Sequence, residues 1–375
     1  MHFDTLALQA THQHDPTTGA VVPPIHLSTT FERNEANELP GNYLYARPNN
    51  PNREALERSL ATLEGGATGI AFSSGQAAIM TLFQALRPGD HVVLAHDGFY
   101  GTTSLLEDVF HPWGLTYTRV DMTNIDAVRS SIHENTRIVW VETPSNPTLA
   151  IVDLLTIARI AHDGGALCVC DNTWATPALQ RPLDLNCDIV MHSTTKYLSG
   201  HSDVIGGALI FKRNDTFTQR IRQLQSVSGA VPSPFDCWLV MRGIKTLGVR
   251  VRAQTITAQA VAEFLDGHPM IERVNYPGLA NHPDRQLIKQ QMNGPGAMLS
   301  IQVTGGAEEA LTVLGRLRLF RRATSLGGVE SLIEHRASVE GPLSTTPPNL
   351  LRISIGLEHA EDLIGDLAQA LTPGR

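Results

Sequence analysis

The chain has 375 residues, of which 42% are hydrophobic and 18% are charged, and its formal net charge at pH 7 is −8. At roughly 100–200 residues per domain, this length predicts two or three domains with sizeable cores. The negative charge argues against nucleic acid as a partner, because binding to a phosphate backbone requires clustered Lys and Arg side chains.

The N-terminus and the cysteines bear on where the protein works. Residues 1–4, Met-His-Phe-Asp, lack the charged and apolar regions of a signal peptide. No run approaches the ~18 apolar residues of a membrane span, and no basic amphipathic helix is present. Cys168, Cys170, Cys187 and Cys237 form no CxxC pair, so they are interpreted as buried free thiols rather than as disulfides or zinc ligands. We expect a cytoplasmic protein with no membrane partner and no metal.

The first 46 residues are rich in Thr, His, Asn and Pro and show weak periodicity. They predict an extended arm with little core of its own, which would pack on a neighbouring subunit. After Pro51 the pattern becomes regular: Leu56, Leu60 and Leu63 recur at helical spacing before Gly65-Gly66. This spacing predicts an amphipathic helix.

Six short apolar or β-branched runs then alternate with helical patterns. The predicted strands are 91–95, 115–120, 137–142, 166–171, 187–192 and 207–211. Between them, 153–162 predicts a helix with Asp153 as its N-cap. Nearly continuous apolar strands that alternate with helices indicate a mostly parallel sheet covered on both faces. Residues 47–234 are therefore predicted to form a large α/β domain.

A long helical pattern over 235–265 leads away from this domain. Shorter segments follow, with strands at 297–303 and 350–355 and a final helix at 359–371. Residues 235–375 are accordingly predicted to form a second, smaller αβ domain.

Ligands of open parallel sheets bind outside the carboxyl ends of the strands, so polar residues at those ends are candidates. The turn 73–76, Ser-Ser-Gly-Gln, precedes a helical pattern over 77–86 and offers free N–H groups to a phosphate, although many βα turns look like this. Asp171 ends a predicted strand, where it would either cap the next turn or pair with a cationic ring nitrogen.

Lys196 is the candidate amine, because only four lysines occur and the other three have polar or basic neighbours. Ser193, Thr194 and Thr195 precede it, and hydroxyls at 193 and 195 can hold a phosphate while the amine reaches the attached ring. Apolar and hydroxyl surroundings lower the pKa of a lysine, as imine chemistry requires. Taken alone, Lys196 would read equally well as a surface lysine after a strand.

The residues around this amine resemble a known signature. Asp171-Asn172-Thr173, followed by His-Ser-Thr-Thr-Lys-Tyr-Leu-Ser-Gly-His-Ser-Asp at 192–203, resembles the pyridoxal phosphate (PLP) attachment motif of the Cys/Met-metabolism enzymes. Segments 45–51, 142–147, 325–331 and 351–358 also resemble motifs of this family, so the match covers nearly the whole chain. The resemblance implies an α/β fold of the PLP-transferase, aspartate aminotransferase-like type, with residues 47–234 as the PLP-binding domain.

The resemblance also implies residue roles. Lys196 would carry PLP on its amine and later move protons, Asp171 would hold the pyridine nitrogen, and Tyr100 would stack on the ring and assist proton transfer. The remaining cofactor contacts would come from Gly75, Gln76, Thr173, Ser193 and Thr195, together with Tyr45 and Arg47 of a neighbouring subunit.

Arg352 would clamp the α-carboxylate of an amino-acid substrate, helped by Asn146 and Ser325. Without the family, Arg352 would read as a surface charge on an edge strand. Sites shared between subunits imply an obligate dimer and, in this family, a homotetramer built as a dimer of dimers.

The segment 325–330, Ser-Leu-Gly-Gly-Val-Glu, resembles γ-synthases and γ-lyases more than β-lyases. We therefore expect γ-replacement or γ-elimination, as in cystathionine γ-synthase or γ-lyase, with β-lyase or O-acetylhomoserine sulfhydrylase activity as the alternative. Two alternatives come from other functional classes: an aminotransferase, and a relative that binds a ligand without catalysing a reaction.

Two departures stand out. Gln76 replaces a common methionine, and 336–341, Arg-Ala-Ser-Val-Glu-Gly, replaces Pro-Ala-Ser-Met-Thr-His, which leaves substrate preference open.

Overall fold

Two β-sheets organise the chain. The structure is a computed structural model that describes residues 1–12, 14, 15, 17–340 and 346–372. The helices are α1 Phe3–Ala10, α2 Pro51–Glu64, α3 Gly75–Gln84, α4 Tyr100–Leu105, α5 His111–Trp113, α6 Ile125–Ser130, α7 Leu154–Asp163, α8 Thr176–Leu179, α9 Thr216–Ser228, α10 Pro234–Ile244, α11 Leu247–Leu265, α12 Arg285–Gln291, α13 Gly306–Arg316, α14 Arg336–Glu340 and α15 Ala360–Leu371, with a π-helical turn at Leu106–Phe110 and a 3₁₀ turn at Pro182–Leu185.

The strands are β1 Thr68–Phe72, β2 His91–Ala95, β3 Thr116–Val120, β4 Thr136–Glu142, β5 Leu167–Asp171, β6 Ile189–His192, β7 Gly207–Phe211, β8 Ile271–Asn275, β9 Met298–Val303, β10 Arg321–Arg322, β11 Leu332–His335 and β12 Leu350–Ser354. Eight of them follow the predicted runs, with shifts of one or two residues at several ends, whereas β1, β8, β10 and β11 were not predicted.

The large sheet has the order β1-β7-β6-β5-β4-β2-β3. The strands β6, β5, β4, β2 and β3 pair in parallel, whereas β7 is antiparallel to both β1 and β6. One buried cluster, which includes Phe72 of β1 and Ile79 of α3, covers one face of the sheet. The other face is covered by two clusters, one that includes Val139 of β4 and Ile157 of α7 and one that includes Val190 of β6. The predicted mostly parallel sheet, covered on both faces, is confirmed.

The small sheet has the order β10-β11-β12-β9-β8 and is antiparallel except for the β10–β11 pair. All strands of the large sheet precede residue 212 and all strands of the small sheet follow residue 270. We propose that the domain boundary lies at the start of α10, near residue 235.

The N-terminal segment differs from the prediction of an extended arm. Residues Phe3–Ala10 form α1, which packs on α2 and α11, and Ala7 is buried there. Asp4 pairs with Arg252, and the Ser59 hydroxyl donates a hydrogen bond to the Ala10 carbonyl. The sequence did not predict this helix, because α1 is short and buries only a small apolar face, which gives weak periodicity. Among the described residues from 17 to 46, the β-pairing consists of one isolated antiparallel bridge between Thr30 and Tyr45.

The long helix predicted over 235–265 is two helices, so that prediction is wrong in this detail. The chain breaks between α10 and α11 at Lys245-Thr246. The guanidinium of Arg250 donates a hydrogen bond to the Gly243 carbonyl, and the Thr246 N–H donates to the same oxygen. A side chain therefore takes a carbonyl that a continuous helix would have used.

Candidate active site

A pocket opens at the carboxyl ends of β4, β5 and β6, between the two sheets. It is lined by ten of the residues predicted from the sequence: Gly75, Gln76, Asn146, Asp171, Thr173, Ser193, Thr195, Lys196, Ser325 and Arg352. The sequence places these residues far apart, and the sheet order brings them together as expected for an open α/β fold.

Lys196 lies in the turn after β6, and its Nζ donates a hydrogen bond to the Ser325 hydroxyl at 2.9 Å. Burial, together with the positive charge of Arg352, lowers the pKa of Lys196 to about 8. A larger fraction of this amine is neutral near physiological pH than for an ordinary lysine, which is the form that attacks a carbonyl carbon.

Ser325 has a φ of 115°. This is the left-handed half of the backbone map, which a non-glycine residue rarely occupies. The conformation places its hydroxyl on Lys196 and its carbonyl on the Arg352 guanidinium, at 2.9 and 3.1 Å. Ser325 therefore joins the candidate amine to the candidate carboxylate clamp.

Asp171 ends β5, where it lies in register with Glu142 of β4. The Thr173 N–H donates to its Oδ1 at 3.0 Å. Burial raises the pKa of Asp171, and a cation placed against this carboxyl would favour its charged form.

Glu142, which the sequence indicated only as part of a family motif, lines the same pocket. Its Oε2 accepts a hydrogen bond from the Phe99 N–H at 2.6 Å. Burial and the neighbouring Asp171 raise its pKa well above the ordinary value. The signal for it was available, because parallel strands β4 and β5 end at one edge and both end in a carboxylate.

The turn that was predicted to bind an anion lies at the start of α3. Ser74 is the N-cap and accepts a hydrogen bond from the Ala77 N–H. A Cβ at Gly75 would lie 3.1 Å from the Met191 methyl and 3.3 Å from the Ser193 Cβ, so Gly75 lets the turn approach the residues after β6. Gly75 and Gln76 are the first helical residues, and their N–H groups have no intrahelical acceptor.

Arg352 lies on β12 in the middle of the small sheet and is only 5% exposed, so the alternative reading as an edge-strand surface charge is wrong. It donates hydrogen bonds to the Asn146 Oδ1 and the Ser325 carbonyl, both at 3.1 Å, and pairs with Glu334. Burial lowers its pKa to about 10. The guanidinium lies 5.8 Å from the centre of the Trp174 ring, a contact that the sequence analysis missed.

Three predicted residues lie outside this pocket. Tyr45 and Tyr100 are 45% and 51% exposed, and Arg47 is exposed and donates a hydrogen bond to the Ser226 carbonyl. Phe99, rather than Tyr100, lines the pocket. The roles of these three residues stay predictions.

The departure at 336–341 begins inside the pocket. Arg336 is a lining residue and is 5% exposed. It was noted in the sequence only as a change from the family pattern. Gly341 lies outside the described residues.

The cysteines are free and buried, as predicted. Across the part of the chain that the structure describes, no group of three or more His, Cys, Asp or Glu side chains is arranged to hold a metal ion. None of the described helices combines the length and the apolar character of a membrane span.

The sequence model of the Cys/Met metabolism PLP-dependent enzymes matches residues 4–372. The chain belongs to this family. A cystathionine gamma-synthase of Mycobacterium tuberculosis (strain H37Rv) is 48% identical over 98% of this chain and 96% of its own. A cystathionine beta-lyase of Coxiella burnetii is 43% identical over 99% and 98%.

Solved structures of the family are similar over their full length. Those of metB from Corynebacterium glutamicum and of the cystathionine gamma lyase CalE6 from Micromonospora echinospora superpose with TM-scores of 0.96 and 0.94, at 44% and 41% identity. The first covers 99% of this chain and 98% of its own, and the second covers 100% of both. The α/β PLP-transferase fold and the enzyme class predicted from the sequence are confirmed.

The pocket fits the cofactor that the family name specifies. It holds an amine of lowered pKa that could react with the aldehyde, a buried carboxyl that could face the ring nitrogen, and a helix start with two hydroxyls that could bind the phosphate. In the described residues this is the donor set that PLP requires, assembled in one cavity.

Proposed function

We propose that the chain binds PLP through Lys196 and catalyses γ-replacement or γ-elimination on homoserine-derived or sulfur amino acids, as cystathionine γ-synthase or γ-lyase does. The observation that carries this proposal is the contact between Lys196 and Ser325, whose carbonyl in turn accepts a hydrogen bond from Arg352. It sets a base and a carboxylate-binding guanidinium on either side of one residue.

When bound, PLP supplies a cationic ring that delocalises the electron pair left on the substrate α-carbon. Asp171 would keep the ring nitrogen protonated, since a carboxylate beside that nitrogen stabilises its positive charge. Ser193, Thr195 and the N–H groups of Gly75 and Gln76 would bind the phosphate.

The residues of the chain would then orient the substrate and move its protons. Arg352 would bind the α-carboxylate, with Asn146 holding its Nη1. Lys196 Nζ, neutral once the substrate is bound, would take the α-proton. For γ-chemistry it would release that proton to solvent, take a second proton from the β-carbon and deliver it to the departing γ-substituent. The γ-substituent would leave with its bonding pair. A thiol would then add at the γ-carbon, or water would release a 2-oxo acid and ammonia.

The γ preference rests on the segment 325–330 and on the 48% identical γ-synthase relative. The alternative is β-elimination or sulfhydrylation, which the 43% identical β-lyase keeps open. To decide, the purified holoenzyme is given cystathionine alone and then an O-acyl-homoserine with cysteine. We expect 2-oxobutyrate or new cystathionine, and pyruvate with homocysteine would overturn the γ assignment.

We also propose a cytoplasmic homotetramer, built as a dimer of dimers, in which Tyr45 and Arg47 reach the phosphate in the neighbouring subunit. Their exposure outside their own pocket supports this arrangement. The four free cysteines suit a reducing compartment.

A further inference from the structure

The turn 98–101 carries Phe99, which lines the pocket, and Tyr100, which is predicted to stack on the cofactor ring. It leads into α4, whose N-cap is Phe99, a residue with no side-chain oxygen to cap the helix. Stacking requires the turn to stay in one position, so contacts from other elements must hold it. Two side chains provide such contacts, one on each side of Tyr100.

Glu142, at the end of β4, holds the first half of the turn. Its Oε2 accepts a hydrogen bond from the Phe99 N–H at 2.6 Å, and Glu142 is only 4% exposed. A Cβ at Gly98 would lie 3.3 Å from the same oxygen, so the glycine lets the turn approach the carboxyl group closely. This contact satisfies an N–H at the start of α4, where no intrahelical acceptor exists.

Gln76, at the start of α3, holds the second half of the turn. Its Nε2 donates a hydrogen bond to the Gly101 carbonyl at 3.1 Å. A Cβ at Gly101 would lie 2.9 Å from this nitrogen and 2.5 Å from the Phe99 ring, so the three groups are packed closely together. The carbonyl also fixes the orientation of the amide, because an amide oxygen turned towards it would be repelled.

The side chain of Gln76 is a departure from the family, in which methionine is common at this position. Methionine has no donor, so it could not bind the Gly101 carbonyl. The backbone N–H of residue 76 is available to a phosphate with either side chain. The amide of Gln76 therefore adds a contact with the turn that a methionine would not make.

We propose that Gln76 is a positioning residue that, together with Glu142, clamps the turn 98–101 and so holds Tyr100 in place to stack on the ring of PLP. One contact is on the N–H before Tyr100 and the other is on the carbonyl after it. A turn that is fixed in advance loses less conformational freedom when the cofactor binds. This role rests on the proposed binding of PLP.

The first test is hydrogen exchange, followed by mass spectrometry, on wild-type protein and on Gln76→Met. Exchange in the peptide that contains residues 98–102 should become about threefold faster or more in the variant, because one contact that closes the turn is lost. The matched control is Gln259→Met, which also removes a 3.1 Å hydrogen bond from an amide to a glycine carbonyl, that of Gly278, outside the pocket. The control should leave exchange at 98–102 unchanged. Equal exchange in wild type and Gln76→Met would overturn the clamp.

The second test compares PLP with pyridoxal, which lacks the phosphate, by equilibrium dialysis. Gln76→Met should bind both about threefold to tenfold more weakly than wild type, since the ring is common to both compounds. A loss for PLP with none for pyridoxal would place the defect at the phosphate and would overturn the proposal.

A double-mutant cycle decides whether the clamp acts through Tyr100. When Tyr100 is already replaced by alanine, Gln76→Met should have little further effect on PLP affinity, because the ring that it positions is gone. A fully additive loss would contradict the proposal. A wild-type protein that takes up no PLP would refute the proposed function, whereas normal uptake by wild type and equal affinity in Gln76→Met would refute the clamp alone.

Discussion

The Nζ of Lys196 donates a hydrogen bond to the hydroxyl of Ser325 across 129 positions of sequence, at 2.9 Å. Ser325 belongs to the loop before β11 of the small sheet, and Lys196 follows β6 of the large sheet. The contact therefore joins the two sheets at the point where we place the chemistry.

Two replacements of Ser325 should distinguish the effect of its hydroxyl from the effect of its strained backbone conformation. Ser325→Ala removes the hydroxyl and keeps a side chain at a φ of 115°, whereas Ser325→Gly removes both the hydroxyl and the steric strain. We expect both variants to lose about tenfold in kcat/KM, since each loses one hydrogen bond at the reacting amine. Ser325→Gly should have a higher Tm than Ser325→Ala, because glycine adopts a positive φ without steric strain. Equal activity in wild type and both variants would contradict a positioning role for the hydroxyl.

The rate at which apoenzyme takes up PLP should depend on the pKa of Lys196. The neutral amine is the reactive form, so the rate should rise with pH and level off above a midpoint near the pKa of about 8. Glu334 raises that pKa, and Glu334→Gln should therefore move the midpoint to lower pH. The midpoints of wild type and of Glu334→Gln are measured by following the absorbance of PLP during uptake from pH 6 to 11, with free N-acetyl-lysine as the control. A midpoint at the ordinary lysine value of 10.5 would show that burial has no effect.

How far the sequence predicts this fold depends on the kind of residue. Buried parallel strands are short apolar runs, so most strands of the large sheet were located within two residues. The helix α1 was missed because its contacts with α2 and α11 come from residues distant in the sequence.

The site divides in the same way. Asp171 is the last residue of one apolar strand and Lys196 lies four residues after another, so both were candidates from their positions, and their combination with the turn at 73–76 and the family signature selected them. The burial of Arg352 could not be predicted in this way, because a central strand and an edge strand can have similar sequences. It follows from the pairing of β12 with both β9 and β11. Trp174 and Arg336 enter the pocket through tertiary packing, which no local spacing records.

A buried pair behind the site should carry stability. His192 Nε2 and Glu64 Oε1 are hydrogen-bonded, with both side chains 1% exposed, and Asn172 also donates to Glu64. Glu64→Ala leaves two buried donors without an acceptor and should cost about 3–5 kcal/mol in the free energy of unfolding. Urea denaturation measures this difference.

The matched control for that variant is Glu54→Ala. Glu54 pairs with Arg58 on the surface of the same helix, with side chains 47% and 61% exposed. An exposed pair of this kind contributes about 0.5 kcal/mol or less. Similar losses in the two variants would contradict a structural role for the buried pair.

Arg47 should act in the neighbouring subunit. Lys196→Ala and Arg47→Ala are each expected to have little activity alone. When the two are co-expressed, a hybrid dimer contains one site with an intact Lys196 and the partner's intact Arg47, so about a quarter of wild-type activity should return. Activity that stays at the level of the separate variants would place Arg47 outside the shared site.

The proposed function depends on attachment of the cofactor to Lys196. Holoenzyme is reduced with borohydride, digested, and the peptide that carries the pyridoxyl label is identified by mass spectrometry. We expect a label on Lys196, and none on Lys212, Lys245 or Lys289, the other three lysines of the chain. A label on one of those three, or a protein that takes up no PLP at all, would contradict this expectation.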